Sequence, residues 1–211
     1  MSEKHEGMIV ILSSPSGAGK TSLVKEISSK NSFSISISHT TRKPRINEVD
    51  GVDYFFIEND EFKKLISENK FLEYAKVFKN FYGSSEEVVF KKLDKGESVI
   101  FDIDWQGTEQ IKLKNLKYKL ITVFILPPSR EELFKRLLNR DLNDEKNAME
   151  RMKKFDEDVL HWKNYDLVVI NDNFNKCYEK IIKFINSKQN SNFSDNYDKS
   201  EINKHVLSLL K

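Results

Sequence analysis

A single cysteine, Cys177, stands among 211 residues. One thiol cannot close an internal disulfide, so no disulfide framework holds this fold, as suits a reducing compartment. Long hydrophobic runs are missing as well. The apolar stretches fall far short of the roughly 20 residues that a membrane-spanning helix needs. Residues 1–6 carry no basic segment leading into a long apolar stretch, so a secretory signal is not expected and the cytoplasm is the expected location. Nor is there an excess of one charge: 35 Lys and Arg face 33 Asp and Glu, a net charge of +2. That balance argues against a general nucleic-acid binder, whose domain would be clearly basic. The length suffices for one sizeable core with small inserted lobes.

What is present begins at Ser14-Pro15-Ser16-Gly17-Ala18-Gly19-Lys20-Thr21. An apolar run, Met8–Leu12, precedes it, and a helical pattern with Leu23, Val24 and Ile27 on one face follows. Strand, small-residue loop and helix start are the context that makes a phosphate-binding P-loop. Gly17 and Gly19 allow a tight turn and close backbone approach. The loop N–H groups and the helix N-terminus attract phosphate. Lys20 is expected to reach the outer phosphates, and the Thr21 hydroxyl to hold Mg²⁺. Ser14 stands where the first glycine of the pattern belongs.

Strand-like runs recur at 8–12, 34–38, 98–103, 120–126 and 167–170, several of them near-continuously apolar as in parallel strands buried on both faces. Helical periodicity follows the P-loop and reappears at 61–69, 85–93, 130–139 and 176–185. The alternation predicts an α/β fold with a P-loop core, its parallel β-sheet flanked by helices. Residues 39–89, with a basic turn, an aromatic strand at 54–56 and a short helix, read as an inserted lobe. Residues 127–158 open on Pro127-Pro128 and continue as charged helices expected to lie outside the core. A polar stretch at 187–200 reads as a mobile linker. Beyond it Ile202, Val206, Leu209 and Leu210 fall at helical spacing. So short a helix should dock on its own domain or on a partner subunit.

Charged residues converge at four further places. Arg42 and Arg45 flank a rigid turn, and guanidinium forks bind phosphate with direction as well as charge. Tyr54 and Tyr82 offer phenolic donors nearby. Glu73 sits among apolar residues. It is either a partly exposed or salt-bridged glutamate, which spacing alone favours, or a carboxylate awaiting two parallel donors such as those of guanine. Asp102 and Asp104 end an apolar strand in Walker-B form, suited to Mg²⁺ directly or through water, with a helix N-cap as the alternative for Asp104. Arg136 and Arg140 share a helix face and Arg151 follows. They either close over a polyphosphate or pair with Glu131, Glu132, Glu150 and Asp156.

Taken together, these segments resemble the guanylate kinase family, over residues from about 7 to 187. The resemblance rests on 13–21, 38–45 with 48–54, 71–75, 82–84, Asp102-Ile103-Asp104-Trp105-Gln106-Gly107, Pro127-Pro128-Ser129, Arg136, Arg140 and Asn171-Asp172. It implies transfer of the ATP γ-phosphoryl group to GMP with Mg²⁺. It implies a core of 1–38, 90–126 and 159–186, a GMP-binding lobe of 39–89, a lid of 127–158, and a linker with a C-terminal helix at 187–211. Carried over residue by residue, Arg42, Arg45, Tyr54 and Tyr82 would hold the GMP phosphate. Ser38 and Glu73 would read guanine, with Ser84 and Asp104 nearby. Ser14, Pro15, Ser16, Gly17, Ala18, Gly19, Lys20 and Thr21 would hold the ATP phosphates, and Asn171 would lie near the adenine or the lid arginines. Lys20, Arg42, Arg136, Arg140 and Arg151 would carry the catalysis, and Thr21 and Asp102 the metal. Besides Ser14, Phe81 stands where many members have a second tyrosine, and Asn139 and Asp141 flank Arg140 where glycines are common. The expected partners are ATP and GMP, with no nucleic acid and no membrane; use of dGMP and self-association stay open. The rival readings are a kinase of this fold acting on another phosphorylated small molecule, and a non-catalytic interaction module.

Overall fold

The structure, a computed structural model, describes residues 7–140, 144–189 and 197–211. Asp141 and residues 190–196 of the polar 187–200 stretch lie outside the described residues. In chain order the elements are β1 (Ile9–Ser13), α1 (Lys20–Asn31), β2 (Ser34–Ile35), β3 (His39–Thr40), β4 (Phe55–Phe56), α2 (Asn59–Ser67), β5 (Phe71–Val77) and β6 (Asn80–Ser85). There follow α3 (Glu86–Leu93), β7 (Val99–Asp102), α4 (Trp105–Leu113), β8 (Leu120–Leu126), α5 (Arg130–Arg140), α6 (Glu145–Asp158), a 3₁₀ turn at Val159–Asn164, β9 (Leu167–Ile170), α7 (Phe174–Gln189) and α8 (Lys199–Leu209). The fold is α/β: five strands form a parallel sheet in the order β2-β7-β1-β8-β9, and four form a second sheet in the order β4-β3-β6-β5. Every residue of β1 is buried, which accounts for its unbroken apolar sequence.

Two compact units divide the chain. The first takes the residues up to Ile11 together with Asn31–Leu120. Its core joins Ile9, Ile11, Leu72, Val89, Leu93, Val99, Phe101 and Ile111. β2 is shorter than the 34–38 run suggests. After Ser36 N–H donates to the Ile100 carbonyl, the chain leaves the parallel sheet, and the Ser38 carbonyl accepts from Phe55 N–H in the second sheet. The hairpin β5–β6 is not marked in the sequence. Its two-residue loop has Phe78 at φ 55 where hairpins usually place Gly or Asn. A further helix, α4, follows the capping residue Asp104, whose carboxylate accepts from Gly107 N–H at 3.1 Å.

The second unit takes Leu12–Lys30 with Ile121–Lys211. Here the structure corrects the expectation that the charged helices lie outside the core. α5 and α6 are amphipathic, and they bury Leu133, Leu137, Ala148, Met152 and Phe155 in one cluster with Phe124, Leu126 and Val168. α8 docks on the same cluster through Ile202, Val206 and Leu209. Its N-cap Asp198 accepts from Ser200 N–H and Glu201 N–H. Arg130 ties three helices, pairing with Asp156 of α6 and donating to the Leu209 carbonyl of α8 at 3.2 Å. On α7, burial pushes the Cys177 thiol up to about 12, so it is not a nucleophile at neutral pH.

Removing the Ile202 side chain beyond Cβ leaves a cavity in this cluster. Ile202→Ala is expected to cost about 2–4 kcal/mol in urea unfolding. A loss below about 0.5 kcal/mol would mean that α8 does not share the core.

Candidate active site

In the second unit, the loop after β1 is shaped by two glycines in the left-handed region, Gly17 at φ 89 and Gly19 at φ 98. No other residue type takes these conformations readily. Neighbours press on the same positions. A Cβ at 17 would stand 2.9 Å from Leu137 Cδ2, and one at 19 only 2.3 Å from Asn171 Nδ2. Asn171 is buried, and its amide donates to the Ala18 carbonyl at 2.8 Å. Arg151 of α6 donates to Ser16 Oγ at 2.9 Å. Arg136 of α5 pairs with Glu132 at 3.0 Å and reaches the Asn171 carbonyl at 3.4 Å. The loop, Asn171, Arg136 and Arg151 thus come together, while Arg140 stands exposed at the end of α5. Ser14, in place of glycine, turns its hydroxyl onto the Pro15 carbonyl at 2.8 Å. Lys20 and Thr21 open α1, where N–H groups and helix dipole favour an anion.

In the first unit the two arginines of the basic turn meet on one carboxylate, Glu48. Arg42 donates to it twice, from Nη1 and Nη2, each at 2.8 Å, and Arg45 donates from its backbone N–H at 2.8 Å and from Nη1 at 3.2 Å. Burial lowers the Arg42 pKa, but hydrogen bonds and charge from Glu48 and Tyr82 outweigh it, and the net shift is upward. Burial likewise pushes the Glu48 carboxyl up, while Arg42 and Arg45 pull it further down, so it titrates below its ordinary value. The Arg42 guanidinium lies over the ring of Tyr54, 5.4 Å from its centroid, and Tyr54 meets Tyr82 edge to face at 6.0 Å. Glu48 lies in the 48–54 segment that shares in the family resemblance, which by itself gives this carboxylate no part. The signal was its place three residues beyond Arg45 and six beyond Arg42.

Glu73 is 3% exposed, which removes the partly exposed alternative. The strand bulges between Phe71 and Glu73. Ser84 Oγ donates to Glu73 Oε1 at 2.6 Å, and Ser38 Oγ lies 3.3 Å from Ser84 Oγ. Since the one Ser84 proton is spent on the carboxylate, Ser38 is the donor of that pair. β7 stops at Asp102, so strand alternation does not extend to Asp104. Asp104 takes the helix-cap role, and it also accepts from Gln106 Nε2 at 3.1 Å. Asp102 is half-buried at the strand end. Gln110 was not singled out in the sequence. It pairs with both backbone groups of Tyr74 on the edge strand β5, accepting from the N–H at 3.1 Å and donating to the carbonyl at 2.7 Å.

The parallel sheet and the phosphate loop define a fold of the P-loop class. A guanylate kinase family model matches residues 6–188. A guanylate kinase of Rickettsia prowazekii is 48% identical over 195 residues, covering 92% of this chain and 98% of the relative. One of Blochmanniella floridana is 42% identical, covering 99% of this chain and all of the relative. The crystal structure of guanylate kinase from Anaplasma phagocytophilum matches with a TM-score of 0.70 and 30% identity, over 94% of both chains. The chain belongs to the guanylate kinase family.

Because Glu48 titrates low in the folded protein, its stabilising effect is present above the unfolded carboxyl value of about 4.3 and is lost as pH falls through the lowered folded value. Glu48→Gln is expected to cost about 1–2 kcal/mol at pH 7. In urea melts taken stepwise to pH 3, that gap to the wild type should close below about pH 4.3. A gap that does not change with pH would place its origin elsewhere.

Proposed function

We propose that this chain transfers the γ-phosphoryl group of ATP to GMP, yielding ADP and GDP, the activity that its family membership supports. The observation that carries the acceptor side is Glu73, a buried carboxylate with a serine hydroxyl on one oxygen, in the same unit as two arginines that converge on one carboxylate. Guanine offers N1–H and an exocyclic amine as parallel donors, which suit a carboxylate. Adenine offers neither in that arrangement. Ser38, Ser84 and Asp104 would complete the base pocket. Arg42, Arg45, Tyr54 and Tyr82 would hold the phosphate. Loop residues 14–21 with Asn171 would cradle ATP, and Arg136, Arg140 and Arg151 would neutralise charge on the group in transfer.

No general base is needed. A GMP phosphate oxygen, already an anion, attacks the γ-phosphorus as the bond to the β-bridging oxygen breaks, and ADP carries that electron pair away. The difficulty is bringing anions together, and the cationic side chains answer it. Thr21 in the second unit and Asp102 in the first would each offer Mg²⁺ a hard oxygen donor, the kind it takes alongside substrate phosphates and water. When bound, Mg²⁺ would neutralise phosphate charge and orient the β- and γ-oxygens. Among the described residues no helix is long and apolar enough to cross a membrane, and we take the cytoplasm as the place of action. No observation favours another phosphorylated substrate or a non-catalytic module.

A coupled assay of ADP release, offering GMP, AMP, CMP and UMP with ATP and Mg²⁺, should show turnover on GMP alone. Equal turnover on AMP would overturn the base reading. Lys20→Ala and Arg136→Ala should each lower kcat about 100-fold or more, with melting points within a few degrees of wild type. Matching losses of stability and activity would instead assign these residues to the fold. Glu73→Gln should erase most of the preference for GMP over AMP, which buried polar pairing can raise to about 10⁴. An unchanged preference would remove Glu73 from base recognition.

A further inference from the structure

Gly107 is the third residue of α4, in its first turn, a place where a helix gains nothing from glycine. A Cβ built there would stand 2.3 Å from Glu73 Oε2 and 3.0 Å from Glu73 Cδ, far inside contact distance. The neighbouring Ile103 Cδ1 would be 3.3 Å away. The helix cannot simply retreat from β5. One turn on, Gln110 grips both the N–H and the carbonyl of Tyr74, the residue next to Glu73, at 3.1 and 2.7 Å. At the other end, Gly107 N–H is bound to the capping carboxylate of Asp104 at 3.1 Å. The movable partner is therefore the carboxylate, the far end of a flexible side chain. Its Oε1 is fixed by Ser84 at 2.6 Å, and its Oε2 rests against the space that the glycine leaves.

We propose that Gly107 is a specificity-determining positioning residue: the hydrogen it carries in place of a side chain sets where the Glu73 carboxylate stands, and so sets the enzyme's preference for a nucleobase with two parallel donors. This rests on the reading of Glu73 as the guanine-recognising group. A methyl at 107 pushes the carboxylate off its Ser84 hydroxyl and out of line with the base. It leaves the arginine forks and the phosphate loop untouched.

The test is a double-mutant cycle of Gly107→Ala and Glu73→Ala, read by steady-state kinetics with GMP and with IMP, which differs from GMP only in lacking the exocyclic amine. For Gly107→Ala alone, the GMP KM should rise tenfold or more, the KM for ATP should stay within about twofold, and the preference for GMP over IMP should collapse. The melting point should stay within about 3 °C of wild type, because alanine is the better helix residue. Added to Glu73→Ala, Gly107→Ala should change the GMP KM no further, since the atoms it would strike are gone. A Gly107→Ala enzyme with wild-type GMP KM and preference overturns the proposal while Glu73→Ala alone still destroys the preference. If Glu73→Ala also leaves the preference intact, it is the guanine reading that has failed. Should Gly107→Ala not fold, Gly107→Ala with Glu73→Ala decides the matter. Recovery of the folded state supports the steric account, and continued failure to fold overturns it.

Discussion

Taking a carboxylate out of water costs several kcal/mol unless polar groups meet it. Glu73 is buried nonetheless, and much of the first unit is arranged around that fact. The β5 strand bulges just before it, so that its side chain and that of Ser84 on β6 can meet at 2.6 Å. Ser38, at the point where the chain passes from one sheet to the other, supports Ser84 in turn. α4 covers the carboxylate with its one glycine and is held to the sheet edge by the side chain of Gln110. Gln110 thereby satisfies backbone groups on an edge strand that would otherwise face water or another strand. A ligand with two parallel donors would meet the carboxylate where these residues already hold it.

The opposite charge is handled by the same logic. Arg42 and Arg45 are not left as two loose cations: Glu48 draws both onto one carboxylate, with Arg42 held in bidentate fashion. Held in this way, their forks would lose less side-chain freedom in taking a phosphate, the role proposed for them. In the second unit the loop after β1 is shaped by its backbone and held by side chains. Gly17 and Gly19 turn the loop, Asn171 and Arg151 pin it, and the head of α1 supplies the field.

The strands β8 and β9 and the phosphate loop were legible because their signals are local: unbroken apolar runs, and small residues between a strand and a helix. The family resemblance was legible because many short segments agreed in order. Three things were not. The β5–β6 hairpin lacks a turn signature, since Phe78 takes the positive φ that glycine usually marks. The helices at 130–158 read as peripheral because charge dominates their composition, yet the few apolar residues, Leu133, Leu137, Met152 and Phe155, share one buried face. Spacing alone favoured a partly exposed or salt-bridged Glu73, because the serines that make its burial tolerable, Ser38 and Ser84, stand 46 positions apart in the chain. No local pattern records so distant a partnership, and the same is true of Gly107, whose meaning depends wholly on the carboxylate opposite.

The most direct test is a crystal structure of the wild-type protein with GMP bound. The guanine N1–H and exocyclic amine should lie within hydrogen-bond distance of the Glu73 carboxylate, with the phosphate on Arg42 and Arg45. A base that stands away from Glu73, or a phosphate held elsewhere while both arginines keep their grip on Glu48, would contradict the account.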